Sequence, residues 1–195
     1  MPGNYHAGRY FDASMNILEQ IAQTVEGCSY PVNAYIAGGQ AVAFWLNGLR
    51  MSLDLDVLFS HKMSVAQGLH ALVVAEDPLD AERVDFDYNF NSTFSLIHDE
   101  YPERARKIAT LGMLEVYVLA PVDLALMKLS RFSDRDRNDI KQLIAHGLLV
   151  RDELRDLAEY AIHDYVGNID VLKNTLDIVL DWFPVQKKTP CRLRP

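Results

Sequence analysis

Hydrophobic positions recur every three or four residues from Phe11 to Val25, with Phe11, Met15, Leu18, Ile21 and Ala22 on one face and Gly27 placed to stop the run. This spacing predicts an amphipathic helix. Val32 to Ala37 is a short, mostly apolar run closed by Gly38 and Gly39, after which Ala41, Val42, Trp45, Leu46 and Leu49 return to helical spacing. The segment therefore reads as strand, glycine turn and helix. Leu53 to Phe59 alternates and then becomes continuously apolar, as expected of a strand whose first positions reach a polar edge.

Ser64 and Gln67 form a capping-box pattern that predicts a helix from Val65 to Ala75, ended by Asp77 and Pro78. Glu82 to Phe90 and Thr93 to Ile97 read as short strands, Tyr101 to Leu111 as a charged helix, and Leu114 to Leu119 as a strand rich in Val, Leu and Tyr. From Pro121, a residue suited to the first position of a helix, the pattern is helical throughout. Ser133 is placed to cap a helix that starts at Asp134 and closes at Gly147, and Arg151 to Tyr165 and Ile169 to Trp182 carry amphipathic spacing. The chain divides on this basis into a mixed core over 1–120, a helical part over 121–183 packed on it, and a polar, proline-interrupted tail over 184–195 expected to lack order. The fold class is α/β in the broad α+β sense: a small mixed sheet flanked by helices, followed by helices alone.

Composition narrows the function classes. A length of 195 residues suits one well-buried core with a helical extension, and 49% hydrophobic with 24% charged residues is ordinary for a soluble globular chain. The net charge of −8 opposes loose attachment to nucleic acid or anionic membrane, although a local basic groove is compatible with it, and no sequence-specific DNA binding is expected. Cys28 and Cys191 are too few for a disulfide framework or a zinc cluster, and the histidines show no zinc spacing, which points to the reducing cytoplasm. No apolar run approaches the roughly 18 residues of a membrane span, and the first residues lack a signal segment.

Candidate chemistry concentrates in Gly38-Gly39-Gln40-Ala41 and the following Arg50-Met51-Ser52-Leu53-Asp54-Leu55-Asp56. Carboxylates two apart on a strand share a face, so Asp54 and Asp56 can share a hard cation such as magnesium or manganese. A glycine pair at a helix start lets backbone N–H groups approach a triphosphate, which the helix dipole also favours. Arg50 and Ser52 precede the carboxylates closely enough to touch phosphate or to orient them.

In its order and separation this segment resembles the nucleotidyltransferase superfamily, whose pattern is a Gly-Gly or Gly-Ser turn, a helix, and Asp-x-Asp or Asp-x-Glu on the next strand. A second block, Leu119 to Leu124 through Lys128, Arg131 and Arg135-Asp136-Arg137-Asn138-Asp139-Ile140, resembles the later motif of AbiEii-like and MenT-like members, so that the likeness spans about Tyr35 to Ile144. The resemblance implies an NTP as substrate and a nucleotide site that includes Lys128 and either Asp136 or Asp139. It also implies a third carboxylate that binds metal or takes a proton. Asp85 and Asp87, two apart on an expected strand, are candidates for it, and Glu115 is the alternative.

Ordinary structural roles stand beside these. Ser133 and Asp136 satisfy a capping box, Arg135 and Asp139 are spaced for a helical ion pair, and Lys128 sits among Leu124, Ala125, Met127 and Leu129, where an ammonium needs an anion or water. The resemblance implies transfer of NMP to RNA, tRNA in particular, or to a protein, by the toxin of a bacterial toxin–antitoxin pair with a cognate antitoxin. A rival reading from the same residues is a nucleotidyltransferase-fold protein that has lost catalysis and serves as a regulatory or antitoxin-like partner. Transfer to a small molecule has no dedicated acceptor motif in the chain.

Overall fold

Two small mixed sheets, flanked by helices, organise the first two thirds of the chain. The computed structural model describes residues 8–27, 29–74, 82–93 and 95–184. Expectations for Cys28, Cys191, the helix end at Ala75 to Pro78 and the tail over 185–195 lie outside those residues. The helices are α1 (Arg9–Thr24), α2 (Gly38–Trp45), α3 (Tyr101–Arg104), α4 (Pro121–Arg131), α5 (Asp134–Ala145), α6 (Arg151–Ala161) and α7 (Ile169–Leu180). The strands are β1 (Val32–Ile36), β2 (Asp54–Leu55), β3 (Val57–Phe59), β4 (His70–Leu72), β5 (Arg83–Phe86), β6 (Arg106–Leu111) and β7 (Leu114–Val118). One sheet has the order β3-β1-β7-β6, with β1 parallel to β7; the other has the order β2-β5-β4, with β2 parallel to β5.

The expected strand from Leu53 to Phe59 is divided at Asp56. Its first half pairs with β5 and its second with β1, so the two halves belong to different sheets. Ala37 donates its backbone N–H to the Asp56 carbonyl at 2.9 Å, which holds the division point against the end of β1. Asp56 is therefore the hinge between the sheets and the neighbour of the turn into α2.

Three expectations fail. The helix from Val65 is absent: a turn at Gln67–Gly68 leads into β4, and Gly68 has φ +77°, a conformation foreign to a helix interior. Burial there alternates, with Ala71 and Val73 inside and Leu72 and Val74 exposed, which is the period of a strand. The helix from Tyr101 stops at Arg104, and residues 106–111 form β6, an edge strand that meets β7 through a turn at Gly112 (φ +58°). Its arginine and lysine, which suggested a helix, suit a sheet edge equally well. No strand forms over the described residues of 93–97.

The C-terminal helices start and stop where their caps stand. Pro121 opens α4, Ser133 and Asp136 form a reciprocal capping box on α5, and Gly147 (φ +68°) follows that helix. In α4 every residue from Val122 to Leu129 is buried, because the helix packs against α2, α5, α6 and α7. Trp45 at the end of α2 donates its indole N–H to the Leu119 carbonyl at 2.8 Å, tying the Gly-Gly helix to the entrance of α4. Among the described residues no helix is long and apolar enough to cross a membrane.

Candidate active site

The Gly-Gly pair works as a packing surface for the segment that follows it. A Cβ on Gly38 would collide with the Asp56 carboxylate, and Gly38 has φ +56°. A Cβ on Gly39 would collide with the Arg50 guanidinium and the Ser52 hydroxyl. The glycines thus allow the carboxylate-bearing segment to lie directly on the first turn of α2. Gln40, fully buried, donates its side-chain amide to the Ser52 carbonyl at 2.7 Å, and the Ser52 hydroxyl donates to the Asp54 carbonyl at 3.3 Å. Residues 50–56 thus rest on the first turn of α2 through Gly38, Gly39 and Gln40.

Asp56 and Asp87 meet at one end of the second sheet. The parallel register places Asp54 opposite Asp85 and Leu55 opposite Phe86, and the Asp87 N–H donates to the Leu55 carbonyl at 3.0 Å, continuing the ladder so that Asp87 comes alongside Asp56. Both line a cavity of about 430 Å³ with Gly38, Lys128, Arg131 and Asp136. Phe90, Leu124, Met127 and Tyr165 supply an apolar stretch of wall.

Burial pushes the Asp56 carboxyl up to about 6, helped by the negative charges of Asp87 and Asp54 and opposed by Lys128 and Arg131. Asp56 is therefore repelled by two neighbouring carboxylates, of which Asp87 lines the cavity with it, whereas Asp54 is exposed and is not among the described residues of the cavity wall. One oxygen of Asp87 accepts the Asn89 N–H at 2.8 Å.

Beside these acids lies a network of two buried carboxylates, Asp136 and Asp139, and three cations, Lys128, Arg131 and Arg50. Lys128 Nζ is 3.2 Å from Asp136 Oδ1 and 2.8 Å from Asp139 Oδ2, the latter an ion pair without hydrogen-bond alignment. Arg131 grips Asp136 with two bonds of 2.7 Å while its side chain remains 71% exposed. Arg50 Nε donates to Asp139 at 2.7 Å. Burial alone would raise the Asp136 carboxyl, but the Arg131 and Ser133 hydrogen bonds and the charges of Lys128 and Arg131 hold it well below the usual carboxylate range. Lys128 thus receives the anion its apolar surroundings require. Asp139 is taken by Arg50 and Lys128, so the expected Arg135–Asp139 pair does not form; Arg135 is exposed and has no ion pair among the described residues.

The remaining candidates fall elsewhere. Asp85 pairs with Arg83 at 3.1 Å on the exposed side of β5. Glu115 is bound by Lys107 at 2.8 Å and by the Tyr117 hydroxyl at 2.7 Å. It stands opposite Asn33 in β1, four residues before Ala37, or roughly 13 Å along the strand from the glycine turn. Arg50 and Ser52 lie over Gly39 and are not among the described residues of the cavity wall. Sequence reasoning passed over Phe90 and Tyr165 and left Arg131 without a role. Arg131 carried a readable signal, lying three residues after Lys128 on one helix face, whereas Phe90 and Tyr165 reach the cavity only through tertiary packing.

A mixed α+β scaffold with a Gly-Gly helix start, a following carboxylate pair and a facing lysine–arginine cluster defines a nucleotidyltransferase-type domain. A family described as nucleotidyltransferase of unknown function (DUF6036) matches residues 13–189, and the chain belongs to it. No curated protein and no solved structure matches the chain at a significant level.

Proposed function

We propose that the protein is a divalent-metal-dependent nucleotidyltransferase that moves NMP from an NTP to a hydroxyl of RNA, tRNA in particular, or of protein. The observation that carries this reading is that Asp56 and Asp87 share one cavity with Lys128 and Arg131. Among the described residues no three His, Cys, Asp or Glu side chains converge into a ready-made metal cage. Magnesium does not need one, because it retains water and is completed by substrate phosphates around one or two carboxylates. Asp56 and Asp54 are hard oxygen donors whose mutual repulsion a divalent ion would relieve, so the residues present fit magnesium or manganese. When bound, such an ion would neutralise the triphosphate and polarise its α-phosphorus.

The chain's own groups complete the chemistry. Arg131, fixed by Asp136 yet exposed, presents a cation to the phosphates, and Lys128 adds positive potential from behind it. The backbone at the start of α2 offers the dipole of a helix N-terminus beside Gly38. Phe90, Leu124, Met127 and Tyr165 form an apolar wall suited to a base. In the transfer, the acceptor oxygen bonds to the α-phosphorus, the bond to the bridging oxygen breaks, and pyrophosphate leaves with its electron pair. The hydroxyl proton passes to Asp87. The resemblance to AbiEii-like and MenT-like proteins supports a toxin paired with a cognate antitoxin.

Incubation of the protein with α-labelled triphosphates, magnesium, and total cellular RNA and protein tests the activity. Label is expected in a macromolecular fraction with wild type and not with Asp54→Ala or Asp56→Ala, both remaining folded by circular dichroism. Full transfer by either variant refutes the assignment. Induced expression in a bacterial host tests the toxin role: growth is expected to stop with wild type and to continue with Asp56→Ala, and a harmless wild type rejects that role.

A further inference from the structure

A second cavity, of about 640 Å³, adjoins the first and shares Asp87 and Phe90 with it. Its walls are the chain leaving β3, residues 60–65, and the chain leaving β5, residues 88–93. Their composition departs from that of the whole molecule. The chain has 27 acidic against 19 basic residues, yet Asp87 at the junction is the sole carboxylate among the described residues lining this cavity, and both His61 and Lys62 line it. Lys62 is exposed and forms no ion pair among the described residues. The same cavity is lined by the short polar side chains Ser64, Asn91, Ser92 and Thr93, groups of the kind that contact phosphate and sugar oxygens. Phe59 and Phe90, both half-buried, add ring surface.

We propose that this second cavity is the acceptor groove, and that it takes the single-stranded end of a polynucleotide. The inference rests on the transferase reading above, and it names the acceptor class for that site. A terminal hydroxyl delivered along the groove arrives at Asp87, on the side of that carboxylate away from Lys128 and Arg131, while the preceding phosphates pass Lys62. An unpaired cation, hydroxyl and amide donors and aromatic faces are elements that hold single-stranded nucleic acid. A peptide segment has no need of a wall with a single carboxylate in an acidic protein, which favours the polynucleotide. The groove also confines binding to a strand end, so it is compatible with the net charge of −8 that opposes general attachment.

Fluorescence anisotropy with a labelled, mixed-sequence oligoribonucleotide bearing a free 3′ hydroxyl tests the groove on the full chain, alongside binding of a fluorescent triphosphate analogue. Lys62→Glu is expected to weaken oligonucleotide binding about tenfold and to flatten its salt dependence. Lys62→Arg should retain both, and neither variant should alter triphosphate binding or melting temperature. Equal oligonucleotide binding by Lys62→Glu and wild type overturns the proposal, as does label entering protein while the wild type ignores the oligonucleotide. A wild type that binds the oligonucleotide through Lys62 but binds no triphosphate upholds the groove and rejects the transferase reading.

Discussion

The Asp56 carboxylate occupies the space that a side chain on Gly38 would fill. That contact joins the helix start to the divided strand, and it places a partly buried acid at the floor of the cavity beside Asp87.

Gly38→Ala meets two obstacles, a φ of +56° and the Asp56 carboxylate in the path of the new methyl group. The variant is expected to lose about 1–3 kcal/mol in urea unfolding. It should also lose transfer, since Asp56 must move. Gly112→Ala, where φ is also positive but open space surrounds the site, separates the two effects: it carries the backbone strain and should leave transfer intact.

Asp56→Asn should stabilise the metal-free protein. Its folded carboxyl is raised to about 6 from an ordinary value near 3.8, so the folded state holds a proton that the unfolded state releases. The associated stability is complete below the unfolded pKa and is lost as pH rises through about 6. The gain from the substitution is therefore expected at pH 8, at about 1–2 kcal/mol, and should shrink toward pH 5. Thermal melts at the two pH values, in the presence of a chelator, check it, and transfer should be abolished throughout.

Among the three candidate third carboxylates, the structure places only Asp87 on the cavity wall. Asp87→Asn is expected to reduce transfer by about 10²-fold or more, the contribution of a positioned proton acceptor. Asp85→Asn and Glu115→Gln should leave it within a few-fold of wild type. Initial rates with an α-labelled triphosphate distinguish the three.

Lys128→Ala leaves Asp136 and Asp139 buried without their shared cation. Such a loss costs about 3–5 kcal/mol when one member of a buried ionic cluster is removed. Adding Asp139→Asn should recover part of it, because the unpaired charge is then gone, and a double-mutant cycle by urea unfolding measures the coupling.

Asp136 carries the opposite pH signature from Asp56. Its carboxyl is held low by Arg131, Ser133 and Lys128 despite its burial, so its stability is present above the ordinary carboxylate pKa and is lost as pH falls below it. Asp136→Asn is expected to destabilise the protein at pH 7 and to flatten the acid limb of its stability profile. Melting temperatures from pH 3 to pH 7 test this.

Features that depend on neighbours in sequence were legible in the sequence itself. The α5 capping box, the opening of α4 at Pro121, the stop at Gly147 and the glycine turn into α2 follow from local backbone chemistry, which three or four adjacent residues decide. Features that depend on a partner strand or a distant side chain were not. Residues 106–111 became β6 because β7 was there to pair with them, and 53–59 split because its halves found different neighbours. Asp139 abandoned Arg135 for Arg50, 89 residues away, and Asp87 gained its place beside Asp56 from the register of two parallel strands. Local propensities are worth tenths of a kcal/mol to about one per residue, whereas ladder pairing and buried ion pairing are settled by which groups tertiary packing removes from water together.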